Sequence, residues 1–340
     1  MNVICCALIV FSRRPSKVYA AELIVRLGRV RLALDYDLVA SSPQLAVDLY
    51  VLDLSSLVCV MTSQTQQTGA ADERHESIHR PEDGKVTVVV PGVELCPLVG
   101  SQCGARNLFT GLLTLGAKAS YPLYTRPFSE ALVLVEGEAS VDVEDRSYCL
   151  KPFDAMTVSP RVPRRVVNRS LSRPAIVHVS LASSTPDQTW VNGRFVAVEQ
   201  PTDVTGQAGT ERLCRNSTVA RLELAPLARF QDLFGVDLGA RGICGGCGHF
   251  EPGARLPCHR HDFDESITIV QGTATCIVEG RRHELSGNAT MLVPEGRCHY
   301  FINLTLEPMA MIWVYAGDRP DRIVVDEAYC HPERAKGSRA

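Results

Sequence analysis

Three histidines and a glutamate near the carboxyl-terminal end are spaced to hold a metal. His259, His261 and Glu265 are all odd-numbered, so on one extended strand their side chains share a face. His299 follows after two further strand-like runs. Two histidines and a carboxylate from one strand, joined by a histidine from another, can close a mononuclear site. The donors suit one divalent transition metal (Fe, Mn, Ni, Co, Cu or Zn) and require no thiolate. If the ion takes five or six ligands, one or two positions stay open for water, a substrate oxygen or dioxygen. Continuing the alternation turns Ile267, Ile269 and Gln271 inward, with Phe301 doing the same after His299 and Phe263 shaping the entrance. The result is a largely apolar pocket with polar groups near the ion, the usual build of a small-molecule site.

Strands must position these residues. Residues 265–285, ESITIVQGTATCIVEGRRHEL, read as two alternating apolar runs around a glycine, closed by a charged turn. Residues 130–150, EALVLVEGEASVDVEDRSYCL, have the same pattern, and the likeness extends further. An offset of 135 relates Glu130 to Glu265, Gly137 to Gly272, Ala105-Arg106 to Ala240-Arg241, Gly111 to Gly246, Leu150 to Leu285, Met156 to Met291 and Asn168 to Asn303. After one turn the offset becomes 134, and Thr185-Pro186-Asp187 aligns with Arg319-Pro320-Asp321. Amphipathic helices are nearly absent; residues 219–235, VARLELAPLARFQDLFG, have room for one short helical turn. Two copies of a unit of short strands without crossover helices predict an all-β chain of two sandwiches or barrels.

The second copy resembles the cupin family. That family's first motif, G-x5-H-x-H-x3-E-x6-G, is matched by Gly253, His259, His261, Glu265 and Gly272 with every gap kept. Its second motif, G-x5-P-x-G-x2-H-x3-N, is matched by Pro294, Gly296, His299 and Asn303, while Asn288 stands where the leading glycine belongs and Gly287 comes one residue early. The resemblance implies two tandem jelly-roll barrels, a bicupin, with the four residues as metal ligands. In the first copy Tyr124, Arg126 and Arg164 replace the three histidines and Glu130 alone is kept. A guanidinium offers only donors and cannot ligate, so the first barrel keeps the scaffold without the site. Arg126 and Arg164 are left to pair with Glu130 or with an anionic ligand.

The expected organisation is an extension over 1–84, a degenerate barrel over 85–200, a linker over 201–214, a metal-binding barrel over 215–333 and a tail over 334–340. Residues 1–60 fit the rest poorly: Arg13 and Arg14 follow the apolar run that begins the chain rather than precede it, and Asp48 and Asp53 interrupt the next. We therefore expect Met61, which opens a polar segment, to be the natural start and the extension to be poorly packed. A 340-residue chain with 45% hydrophobic and 21% charged residues is ordinary for a globular protein, and its net charge of −3 gives no basic field for nucleic acid or an anionic membrane. The 13 cysteines are scattered without a pairing pattern, which reads as a reducing, cytoplasmic setting with thiols packed as small hydrophobes. Cys244-Gly-Gly-Cys247 lacks a second C-x-x-C or a βαβ context, which argues against a redox or zinc role.

The expected function is that of a mononuclear-metal enzyme with a small-molecule substrate, in a chain open to assembly as a homo-oligomer. Bicupin resemblance offers dioxygenases, decarboxylases, isomerases and aminohydrolases; a non-catalytic ligand-binding bicupin is the rival. With Glu265 occupied as a ligand and Asp262 and Asp264 turned away, no general base is evident, which tilts the expectation toward dioxygenase-type oxidation.

Overall fold

The computed structural model describes residues 73–193, 198–199 and 210–331, with short strands inside residues 8–38. In the amino-terminal unit, Leu8–Arg13, Tyr19–Leu27, Val30–Leu32 and Asp37–Leu38 pair as one antiparallel sheet, where the sequence suggested no element. The tail over 334–340 lies outside the described residues.

The remaining described chain is two β-barrels of two sheets each. The first barrel faces a seven-stranded sheet, running from Glu211–Cys214 to Thr87–Val90, with a six-stranded sheet that includes Ser120–Thr125 and Arg164–Asn168. The second faces a seven-stranded sheet, running from Leu222–Ala225 to Ser77–His79, with a five-stranded sheet that includes His259–Arg260 and His299–Ile302. Alternating apolar positions fill each interior: Leu132, Val141 and Val166 in the first, Ile267, Phe301 and Trp313 in the second. Among the described residues there is no α-helix; Leu222–Ala225 and Ala228–Phe234 form a hairpin rather than the helical turn allowed for. Leu227, at φ 65, makes the tight turn there, and period-2 alternation in Ala228–Phe234 buries Phe230 inward.

The barrels exchange strands. Glu211–Cys214, from the expected linker, pairs with Ala155–Val158 of the first barrel, and Ser77–His79, from the expected extension, pairs with Thr290–Val293 of the second. Each exchanged segment carries a glutamate that grips an arginine across the chain. Glu211 accepts from Arg146 at 2.6 and 3.1 Å and from Tyr148 at 2.7 Å; Glu76 accepts from Arg281 at 2.6 Å twice, and meets His283 at 2.8 Å. A third apolar cluster, with Val99, Val133, Phe234, Leu292 and Ile312, joins the two barrels. Buried polar pairs cross it, Thr110 with Ser266 at 2.7 Å and His178 with Thr268 at 3.1 Å.

The cysteines depart from the reading of unpaired thiols. Cys258, next to the first histidine, is joined to Cys330 across 72 residues, tying the end of the described chain to the ligand strand. Nothing local in the sequence marks two cysteines so far apart. Cys244 and Cys247 lie three apart on strand Cys244–Phe250 and therefore on opposite faces, one inside the second barrel and one between barrels. Their glycines are not a hinge: a Cβ on Gly246 would stand 1.8 Å from the Gln231 carbonyl, so the pair permits close packing in mid-strand.

Loop closure over 72 residues sets the scale of the disulfide's effect. Cys330→Ser should lower unfolding free energy by roughly 4 kcal/mol, read as an earlier midpoint in guanidinium unfolding. Equal midpoints for the two proteins would show that the bond contributes nothing to stability.

Candidate metal centre

The four predicted ligands come together: one donor atom each of His259, His261, Glu265 and His299 lies within 4.8 Å of the others, and all four residues are buried. They do not share one strand. His259 belongs to strand His259–Arg260 in the five-stranded sheet and Glu265 to Glu265–Gln271 in the seven-stranded sheet. Between them the chain crosses the barrel mouth, so the side chains meet from two sheets. The crossing is pinned at Asp264, whose carboxylate accepts from Arg74 at 2.6 and 2.8 Å, from Arg106 N at 2.7 Å and from Glu295 N at 3.0 Å. Asp264 is thus turned away from the ligands, as expected, and Asp262 is exposed. His299 enters from the third side, paired directly opposite His259.

Backbone carbonyls hold all three rings. Nδ1 of His259 lies 2.8 Å from Pro257 O, Nδ1 of His261 2.7 Å from Asp321 O, and Nδ1 of His299 3.0 Å from Arg297 O. A carbonyl only accepts, so each Nδ1 carries the proton and each Nε2 presents a lone pair. Glu265 Oε2 then sits 3.3 Å from His261 Nε2 and 2.8 Å from His299 Nε2 without the alignment of a hydrogen bond. Lone pairs facing a carboxylate at that range require a proton or a cation between them. Burial would raise the Glu265 carboxyl; positive charge on His261 and His299 would outweigh it and hold the carboxyl well below the ordinary range, so the carboxylate calls for a proton on those rings or a cation in their place. Burial first, with the nearby Arg322 charge, keeps His259 neutral far below its usual value.

The residues expected to line a pocket take different places. Ile267, Ile269 and Phe301 are buried in the second barrel's core, and half-buried Phe263 stacks on His261 at 5.4 Å between centroids. Gln271 does not face inward: the register slips between Ile269 and Gln271, and the bulge leaves Gln271 exposed on the outer face. Tyr315 lies against the site, its ring 4.3 Å from His261 and 5.0 Å from Phe263. Burial first and the Glu265 charge second push its phenol well up, so it stays protonated. Arg322 reaches the Tyr315 hydroxyl at 3.4 Å and went unnoticed in the sequence. The shared Pro-Asp that closes both repeats was the available signal, because Asp321 O orients His261.

The first barrel holds the counterpart. Glu130 is fully buried and takes bonds from Arg126 Nε at 2.7 Å, Arg164 Nε at 2.8 Å and the Tyr124 hydroxyl at 2.9 Å. The two guanidiniums flank the Tyr124 ring at 5.1 and 5.0 Å. Of the two options the sequence left for these arginines, pairing with Glu130 is realised.

The cupin domain profile matches residues 247–315. Among solved structures, oxalate decarboxylase of Lactobacillus farciminis in its formate complex superposes with a TM-score of 0.60 at 14% identity, covering 73% of this chain and 88% of that one. A variant of Bacillus subtilis oxalate decarboxylase gives 0.59 at 14% identity, covering 75% and 83%. Residues 247–315 are a cupin domain, and the two-barrel fold is that of these bicupins. AerE from Microcystis aeruginosa is a further fold neighbour, at TM-score 0.53, 16% identity and coverage of 70% and 97%. A curated relative, endoribonuclease YbeY of Myxococcus xanthus (strain DK1622), is 41% identical over 46 residues; that is 14% of the bicupin and only 16% of the relative's length, and its activity is not carried over. No helix among the bicupin's described residues is long and apolar enough to cross a membrane.

Removing Glu130 tests the first barrel's electrostatics. Glu130→Gln should cost roughly 3–5 kcal/mol, because two buried guanidiniums lose the carboxylate between them. The folded carboxyl is held below its ordinary 4.5, so its stabilisation is present above that pH and is lost as pH falls through the lowered value. Stability of the variant should therefore depend less on acid than that of the parent, measured by chemical denaturation across pH.

Proposed function

We propose that the second barrel is a mononuclear metal centre and that the bicupin is a metal-dependent enzyme acting on a small metabolite. The ligands in this reading are Nε2 of His259, His261 and His299 and a carboxylate oxygen of Glu265. The observation that carries it is the approach of Glu265 Oε2 to His261 Nε2 and His299 Nε2 at 3.3 and 2.8 Å, acceptors turned on one another where a cation is wanted. Three nitrogens and one oxygen suit a first-row divalent ion. When bound, such an ion supplies Lewis acidity and open positions for a substrate oxygen.

The residues of the chain do the rest. The carbonyls of Pro257, Asp321 and Arg297 fix tautomer and ring orientation, so little reorganisation accompanies loading. Phe263, Tyr315 and Phe301 surround the donors with apolar surface and limit water. The Tyr315 hydroxyl, held protonated, can donate a hydrogen bond beside the ligand residues. Of the reaction classes considered, decarboxylation has the support of the oxalate decarboxylase fold neighbours, whereas dioxygenase-type oxidation has no comparable support.

Elemental analysis of purified protein should find about one divalent metal per chain, and His261→Ala should lose it while keeping the far-ultraviolet circular dichroism of the parent. Arg126→Ala should retain the metal. A parent protein without stoichiometric metal would end the enzyme reading. With metal present, carbon dioxide release without oxygen uptake from small acids would separate decarboxylation from oxidation.

A further inference from the structure

The segment following the last long strand runs along the metal-bearing edge of the second barrel. Ile323–Val324 pairs with His259–Arg260, Val325 N donates to Cys258 O at 2.9 Å, and Asp321 O holds His261. Arg322 sits between these anchors, and its side chain turns toward the barrel interior. Its Nη2 is 3.4 Å from the Tyr315 hydroxyl, and its guanidinium lies 5.4 Å from the Phe230 ring. Trp313 belongs to the same ring cluster, 4.9 Å from Tyr315 and 6.5 Å from Phe230.

Two donors in this cluster are orphaned. Arg322 Nε and Trp313 Nε1 are buried, and no acceptor among the described residues meets either. Buried N–H groups are normally satisfied, so a pair left open beside a ligand cluster points to an acceptor that arrives from outside. The first barrel supplies an internal control. At the repeat offset of 134, Arg322 corresponds to Gln188, whose side chain is satisfied within the chain by the Tyr121 hydroxyl. Tyr121 corresponds in the second barrel to Leu256, an apolar side chain that offers Arg322 nothing.

Charge points the same way. A divalent ion, the Glu265 carboxylate and the Arg322 guanidinium sum to about +2. Half-buried Asp232 lies near enough to feel Arg322 but forms no ion pair with it. A neutral ligand would leave that excess uncompensated inside the barrel; an anion would not.

We propose that Arg322 and Trp313 form the anion-recognising wall of the metal pocket, and that the ligand is a small carboxylate whose acceptor oxygens meet Arg322 Nε and Trp313 Nε1 while another oxygen faces the ion. The proposal rests on the second barrel being a metal centre. Arg322 is then the residue that selects an acid over its neutral isostere, and the disulfide at Cys330 keeps the segment that carries it in place.

Calorimetric titration of the full chain loaded with Mn(II), using malonate and its neutral isostere malonamide, tests this. The parent should bind malonate at least tenfold more tightly than malonamide, and Arg322→Leu should remove that preference by weakening malonate about tenfold or more. Arg322→Lys should restore part of the malonate affinity, and Trp313→Phe should weaken malonate further without changing metal content. If Arg322→Leu does not fold, Arg322→Gln, which installs the residue of the first barrel, makes the same measurement. Malonate binding within twofold of the parent in the Arg322 variants, or equal affinity for malonamide, overturns the proposal while the metal reading stands. Failure of the parent to retain Mn(II), seen by elemental analysis before any titration, overturns the metal reading and this proposal with it.

Discussion

A carboxylate buried at the mouth of each barrel is the constraint on which the rest depends. Glu130 is 0% and Glu265 4% exposed, and a carboxylate removed from water is several kcal/mol too costly to leave uncompensated. The two barrels solve one electrostatic problem in two ways. In the first, Arg126 and Arg164 close on Glu130 with the Tyr124 hydroxyl, and two positive charges against one negative leave +1. In the second, the lone pairs of neutral imidazoles surround Glu265, and a divalent ion among them would leave the same +1. Replacing histidine by arginine at equivalent positions therefore exchanges an acquired cation for built-in ones. Each glutamate keeps the same balance with its immediate cations, while the first barrel loses the open positions on which metal chemistry relies.

The exchange is possible because backbone, not side chains, builds the cradle. Asp321 O holds His261 in the second barrel, and Asp187 O accepts from Arg126 at 3.0 Å in the first. Arg297 O holds His299, and Val162 O accepts from Arg164 at 2.8 Å. Each pair of carbonyls is related by the repeat. A carbonyl accepts from an imidazole N–H and from a guanidinium N–H alike, so the same backbone orients either side chain. The asparagines at the ends of the two motifs serve a similar end, Asn168 bracing Leu115 O and Gly116 O, and Asn303 bracing Phe250 O and Glu307 O. They shape turns that aim the ligand strands and contribute nothing to the ion.

Reciprocal strand exchange makes the barrels one body. Glu76 and Glu211 occupy equivalent places in the repeat, and each is 1% or less exposed at its side chain while gripping an arginine. Neither barrel completes its seven-stranded sheet from its own sequence span. That arrangement gives the metal-free copy a physical role that needs no chemistry, since Asp264, which pins the ligand crossing, is itself bound by Arg106 from the first barrel. Through that contact the first barrel helps to set where Glu265 enters the site.

The repeat, the strand pattern and the grouping of His259, His261, Glu265 and His299 were legible in the sequence because each is a local regularity of spacing. The parity argument for His259, His261 and Glu265 reached the right convergence by a wrong route: a chain crossing between facing sheets delivers them to one point, as a straight strand would to one face. Gln271 was misplaced for a related reason, since a bulge at the end of Glu265–Gln271 breaks the alternation that the prediction extrapolated. The Cys258–Cys330 bond and Arg322 lay beyond any local pattern, because both depend on where the last segment folds back. The first barrel shows how that gap could have been narrowed. Comparing the copies position by position sets Gln188, whose side-chain oxygen is met by Tyr121, against Arg322, opposite Leu256, whose Nε meets no acceptor among the described residues, and that open donor marks the position where the two copies diverge.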